Sequence, residues 1–175
     1  GETSLEAMHK AIHHRGPDAS GMYIDEHIGL CHRRLSILDL SEAGNQPMYS
    51  KDGDLVIVFN GEIYNFLELR AELENDGVTF KSHTDTEVIL ELYAREGTKC
   101  LDKLNGMFAF ALWDKNKQEL FIARDRLGKK PLYYFNDNGR FAFGSEIKAI
   151  LALENIPREI RLDAVYDFFA YQYVP

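Results

Sequence analysis

Leu55-Val56-Ile57-Val58-Phe59-Asn60-Gly61-Glu62 is an apolar run that ends against a polar corner. Runs of β-branched and aromatic residues pack well on a pleated surface, so residues 55–59 read as a buried strand. Asn60-Gly61 then reads as a turn, because Gly takes positive φ at no steric cost and Asn is among the few others that do. The chain resumes as a helix, with Phe66, Leu69 and Leu73 three and four apart and Asp76-Gly77 closing the segment. At the mouth of a strand, the Asn60 side-chain amide and the Gly61 N–H are two neutral donors able to converge on one point. Such a pair suits a developing oxyanion. Asn-Gly is first of all a turn signal, so that reading needs support from the rest of the chain.

Composition narrows the field. A chain of 175 residues suits one domain with a real core. Its 20 Lys and Arg against 28 Asp and Glu leave a net charge of −8, which repels nucleic acid and anionic membrane surfaces. Arg33-Arg34 and Lys129-Lys130 are doublets and make no basic patch. The longest apolar stretch, 107–113, is far too short to span a bilayer, and no signal peptide is read at the start, so the expected compartment is the cytoplasm. Cys31 and Cys100 read as reduced, buried thiols, and no zinc or P-loop spacing occurs.

Taken outward from the central run, Thr3 or Ser4 caps a first helix with Leu5, Met8 and Ile12 on its apolar face, ended by Gly16-Pro17. His9 and His13 lie four apart on it and, without a third ligand nearby in sequence, read as solvated surface. Residues 22–24 and 28–30 form a hairpin around Asp25-Glu26-His27, its second strand running on toward Arg34 and Leu35. Thr84 or Asp85 caps a helix whose face is Val88, Ile89, Leu92 and Tyr93. Segments 107–113, 119–124, 131–135 and 140–143, parted by polar turns, read as an antiparallel meander. Ser145 and Asp163 cap two closing helices. Helices, then strands, then helices again argue an α+β fold.

Several stretches resemble one family in order and approximate spacing: His14-Arg15-Gly16-Pro17-Asp18, Arg34-Leu35-Ser36-Ile37-Leu38-Asp39, Asn60-Gly61-Glu62-Ile63-Tyr64-Asn65, Thr84-Asp85-Thr86-Glu87, Gly106-Met107-Phe108-Ala109-Phe110-Ala111, Arg124-Asp125 and Ser145-Glu146. The chain resembles the glutamine-hydrolysing domain of asparagine synthetases, class II glutamine amidotransferases of the N-terminal-nucleophile fold. That resemblance implies a four-layer αββα sandwich of two antiparallel sheets between helical layers. It implies a domain over 1–160, with 161–175 leading into an ATP-dependent synthetase domain. Arg34 then takes the glutamine carboxylate with its planar fork. Asp85, helped by Glu62, takes the ammonium, Asn60 and Gly61 form the oxyanion hole, and backbone around Ile37 and Leu38 lines the pocket. No cofactor or metal is implied for this half, since ATP and magnesium belong to the synthetase half. The implied partners are glutamine and that C-terminal synthetase domain, with a homodimer an admissible assembly.

One departure stands out. Family members carry an N-terminal Cys whose thiolate attacks the amide and whose own α-amine serves as base. Neither Cys31 nor Cys100 carries a free amine, and Gly1 has no nucleophile. The expectation is a truncated form, inert as it stands, missing a short strand that bears the Cys. A glutaminase serving another acceptor, and a non-catalytic module that senses glutamine or docks a synthetase, are the alternatives.

Overall fold

The computed structural model describes residues 2–35 and 41–174. Its centre is β4, Leu55–Ile63, which does not stop at Asn60 as the sequence suggested. The strand continues through Asn60 and Gly61, pairing residue for residue with β5, Gly106–Asp114, so that Asn60 faces Ala109 and Gly61 faces Phe108. A nine-residue ladder outweighs a local turn preference. Gly61 is therefore required by close approach rather than by positive φ: a Cβ there would fall on Met107 O and 2.7 Å from Phe108 Cα.

With β3 (Met48–Tyr49) on one side and β6 (Glu119–Arg124) beyond β5, a four-stranded antiparallel sheet forms in the order β3-β4-β5-β6. Its two faces bury different sets, as period-two alternation requires. Ile57, Phe59, Ile63, Phe108, Phe110 and Leu112 pack on α2 (Phe66–Asn75) and α3 (Asp85–Glu96) through Leu69, Leu73, Val88, Ile89 and Leu92. Val56, Val58, Ala111 and Trp113 face the other way, onto Leu30 and, at the margins, Tyr23, Ile28 and Phe143. Those partners belong to two hairpins. One is β1 (Ala19–Ile24) with β2 (Gly29–Arg34), as the sequence suggested; the other is β7 (Tyr133–Asp137) with β8 (Arg140–Gly144). Outside the hairpins lie α1 (Glu2–Ala11) on β2 and α4 (Ile147–Leu151) on β7 and β8, touching each other.

The layers thus run helices, sheet, hairpins, helices, which is the α+β arrangement expected, with two differences: among the described residues the second layer is two separate two-stranded hairpins rather than one sheet, and the meander is broken. The strands after residue 106 are no single meander, because β6 does not pair with β7. Asp125 explains the break. Its buried carboxylate accepts from Lys129 N at 2.8 Å, Lys130 N at 2.9 Å, and Phe108 N and Leu127 N at 3.2 Å, folding 125–130 into a knot that carries the chain into the hairpin layer. A run of polar residues and a glycine reads as a tight turn in sequence; the knot depends on one carboxylate reaching back to β5.

The last helix, α5 (Leu162–Tyr171), buries none of its residues, although its composition is strongly apolar. Tyr166 and Phe169 are among its most exposed side chains. No helix among the described residues is long and apolar enough to cross a membrane.

Burial by itself raises the Asp125 pKa, but the four amide donors reverse this and hold it below the ordinary aspartate value. A depressed folded pKa means stability that is present above the unfolded value, about pH 4, and lost as pH falls through the folded one. Asp125→Asn is therefore expected to cost about 2–3 kcal/mol at pH 7, by urea unfolding, with the gap from the parent closing below about pH 4. A pH-independent gap would show that charge plays no part in the knot.

Candidate active site

β3 covers only the first part of β4, pairing Met48 with Ile57 and Tyr49 with Val56. Past that point one edge of β4 has no neighbouring strand among the described residues. Buried backbone groups on such an edge need partners, and here side chains supply them. Gln46 Oε1 accepts Phe59 N–H at 2.6 Å, His32 Nε2 contacts Phe59 O at 3.0 Å, and Asp85 Oδ2 accepts Ile63 N–H at 3.0 Å. Antiparallel alternation puts the Gly61 N–H on the same edge as those of Phe59 and Ile63. Phe108, opposite Gly61, agrees: its N–H and C=O both turn away, to Asp125 Oδ2 and Asp125 N. The Gly61 N–H thus points outward between two clamped neighbours.

Asn60 lies on the opposite face of the strand from Phe59, with Val58 two residues before it aimed at the hairpin layer. Its Nδ2 is buried and, among the described residues, has no hydrogen-bond partner. A side-chain donor and a backbone donor thus sit at adjacent positions. Both residues stand in a continuous strand rather than in the turn expected from the sequence.

Arg34 ends β2 and is only 8% exposed. Its Nη1 donates to Ser41 O at 2.8 Å and Asn45 Oδ1 at 2.9 Å, which fixes the plane of the guanidinium. Gly44 fits between this group and α3, since a Cβ there would lie 2.9 Å from Arg34 Cζ and 3.1 Å from Thr84 Cγ2. Thr84 caps α3, its side chain accepting Glu87 N–H, while Glu87 reaches back to Lys81 N at 2.8 Å and Ser82 N at 2.7 Å. This double brace sets Asp85, at the first turn of α3, against β4. Gln46 ties the two together, since its Nε2 donates to Thr86 Oγ1 at 3.4 Å while its Oε1 holds Phe59.

Asp85 is 4% exposed, and burial pushes its pKa up despite the Ile63 N–H, with the Glu62 carboxylate adding to the rise. A buried carboxylate beside a second one favours an incoming cation. Arg34, Asn60, Gly61 and Asp85 all line one cleft of about 1410 Å³ between the four-stranded sheet and the hairpin layer, walled also by α1, α4 and β8. Glu62 does not line it and acts on Asp85 through charge. Ile37 and Leu38 lie outside the described residues.

Three residues essential to this geometry were not singled out in the sequence. Gln46 and Asn45 stand in Asn45-Gln46-Pro47, a polar pair before a proline, and His32 stands two before Arg34 on the same strand face. His9, expected at the surface, is instead buried, with Nε2 3.2 Å from His32 O. Burial and the nearby Arg33 push its pKa down. Cys31 lines the cleft, yet burial raises its thiol to about 11, and Cys100, in the core, is likewise raised to about 11. Neither is a thiolate near neutrality. Among the described residues, no group of three or more His, Cys, Asp or Glu is placed to hold a metal ion.

Comparison with known proteins gives the family of the chain. The family model described as the glutamine amidotransferase domain matches residues 1–175. Asparagine synthetase [glutamine-hydrolyzing] 1 of Bacillus subtilis is 45% identical over 99% of the chain, and asparagine synthetase B [glutamine-hydrolyzing] of Escherichia coli is 46% identical over 82%. The chain spans 27% and 26% of the length of these two relatives. Glutamine phosphoribosylpyrophosphate amidotransferase from Bacillus subtilis, in a structure with ADP and GMP, superposes with a TM-score of 0.73 over 86% of the chain and 40% of that chain, at 22% identity. That likeness fixes the fold as one of the N-terminal-nucleophile type.

Two outcomes test the geometry itself. Gly61→Ala is expected to destabilise by about 2–3 kcal/mol in urea unfolding, because β4 and β5 would have to part. At pH 7.5 neither Cys31 nor Cys100 should react with iodoacetamide at the rate of a free thiol until the protein is unfolded; rapid native labelling would contradict the raised values.

Proposed function

This chain belongs to the glutamine amidotransferase family, and from that premise we propose that its cleft binds glutamine and directs release of ammonia from the side-chain amide. The observation that carries the reading is the convergence on one cleft of a buried guanidinium, a buried carboxylate and two neutral donors. Glutamine is a zwitterion with an amide at its far end, so it asks for these groups. Arg34 takes the α-carboxylate through its planar fork. Asp85, with Glu62 adding negative charge behind it, takes the ammonium. Asn60 Nδ2–H and Gly61 N–H take the amide oxygen as it gains charge on the way to the tetrahedral intermediate.

The nucleophile in this reading is a Cys that reaches the cleft from outside the described residues, since Cys31 and Cys100 are held as thiols. The size of the cleft supports a second occupant, because a small-molecule pocket is typically about 300–1,000 Å³. Hydrolysis needs no metal. In this reading ammonia made here passes to a synthetase domain that would use ATP and magnesium to activate aspartate; the names of the B. subtilis and E. coli relatives, glutamine-hydrolyzing asparagine synthetases, support asparagine as the product. Residues 161–175 in this reading lead toward that domain, a role supported by the exposed apolar side chains of α5. A glutamine sensor without catalysis is the second reading, favoured by the two inert thiols and excluded by ammonia release from the full-length protein.

Asn60→Ala in the full-length protein is expected to lower glutaminase turnover about 100-fold, the worth of one oxyanion donor, with the unfolding midpoint little changed; parental turnover would refute the role. Asp85→Asn separates binding from stability. A raised folded pKa gives stability that is full below the unfolded value and lost as pH rises through the folded one, so the ionised Asp85 weighs on the empty fold at pH 7. The Asn variant keeps an acceptor for Ile63 N–H. It should melt no lower than the parent while binding glutamine about 10–100-fold more weakly by calorimetry.

A further inference from the structure

The register of β3 on β4 shows what the Gly61 donor would have become in an ordinary sheet. Met48 faces Ile57 and Tyr49 faces Val56. Carried on, the same register sets position 46 against Phe59 and position 44 against Gly61. Ile57, Phe59 and Gly61 share the outer edge of β4, so each would exchange both N–H and C=O with the residue facing it. A backbone carbonyl at position 44 would then take the Gly61 N–H. The donor assigned to the substrate oxygen would be spent inside the sheet.

The chain leaves the ladder before this happens. Glu42–Gly44 is a single 3₁₀ turn, with Gly44 N–H on Ser41 O at 3.3 Å and Asn45 N–H on Glu42 O at 3.0 Å, so position 44 is coiled rather than extended. The Gln46 carbonyl packs against the first hairpin, where a Cβ on Gly21 of β1 would fall on it. Phe59 is thereby left without a backbone partner on this edge, and two side chains replace one. Gln46 Oε1 accepts its N–H at 2.6 Å, and His32 Nε2 meets its C=O at 3.0 Å. Gln46 thus pairs with the residue its register assigns, but through its side chain, and the ladder ends one bonded pair short of Gly61.

We propose that Gln46 is a positioning residue for the oxyanion donor: by taking the Phe59 N–H on its side-chain oxygen it closes β3 before Gly61 and fixes the direction in which β4 presents the Gly61 N–H. This rests on the reading of the cleft as a glutamine site. In that reading Gln46 touches no reacting atom and acts only through the backbone of β4. Its loss weakens stabilisation of the charged intermediate, a transition-state effect. The hold on the zwitterion falls to Arg34 and Asp85, and Asp85 keeps its own brace through Thr84 and Glu87. A donor displaced in this way lowers kcat and leaves KM nearly as it was.

Two substitutions separate positioning from a merely structural part. Gln46→Met keeps the length and bulk of the side chain and removes the oxygen that holds the Phe59 N–H. Gln46→Glu keeps that oxygen and can still meet Thr86, whose hydroxyl turns round to donate. Initial rates of ammonia release from L-glutamine by the full-length protein give kcat and KM for each form. In Gln46→Met kcat should fall about tenfold or more, with KM within about threefold of the parent, and Gln46→Glu should recover kcat to within about threefold. Parental kcat in a folded Gln46→Met, a rise in KM alone, or equal losses in both variants overturns the positioning role and leaves the glutamine site standing. A parent that neither binds nor hydrolyses glutamine overturns both. Should Gln46→Met fail to fold, amide hydrogen exchange in the parent decides. A Gly61 N–H exchanging about tenfold or more faster than those of Phe59 and Ile63 supports the proposal, and equal protection of all three overturns it.

Discussion

An interior strand edge with no strand beside it among the described residues must find other partners, and the geometry of the candidate site follows from how that is done. β3 pairs with two residues of β4 and stops. Beyond it, Gln46, His32 and Asp85 each satisfy one backbone group of β4, drawn from three separate parts of the chain. Clamping the edge at Phe59 and Ile63 leaves the group between them, the Gly61 N–H, aimed outward with its position fixed from both sides. A backbone donor presented in this way needs no reorganisation when charge develops in front of it, which is where electrostatic preorganisation is most effective. The clamps also do a second job. Because Asp85 holds Ile63, and Gln46 joins Phe59 to Thr86, the carboxylate and the two donors keep one spacing as a unit.

The sequence exposes the parts of this arrangement unevenly. Alternating burial along β4 and β5, the β1–β2 hairpin and the Thr84 cap are local, and each is legible from residue type and spacing. The path of the chain at Asn60-Gly61 is misread, because turn preference is a local energy and a nine-residue ladder overrides it. The proposed role of Asn60 and Gly61 does not depend on the turn, since a strand edge can also present a side-chain and a backbone donor at adjacent positions. The junction between β6 and β7 is misread for a different reason. Whether a polar turn brings a strand back to its own sheet or sends it to another layer depends on Asp125 bonding across to Phe108, a contact 17 residues away that no spacing rule records.

Arg34, Asn60, Gly61 and Asp85 come into view through the family pattern, and the structure then shows them around one cleft. Gln46 and His32 do not, although they bond directly to the same strand. Each looks in sequence like an ordinary polar residue near a strand end. Their significance lies in being buried against a backbone edge, and that edge exists only once β3 is seen to end early.

The helix α5 gives the molecule a colloidal character that its average composition conceals. Phe169 is 82% and Tyr166 75% exposed on a helix with no buried residue, while the chain as a whole carries a net charge of −8. Mutual repulsion between anionic bodies is what keeps such aromatic surfaces apart in dilute buffer. Salt screens that repulsion, and acidification toward the isoelectric point near 5.2 removes the net charge behind it, so the apolar side chains of α5 are the part of the described surface whose environment depends most on solution conditions.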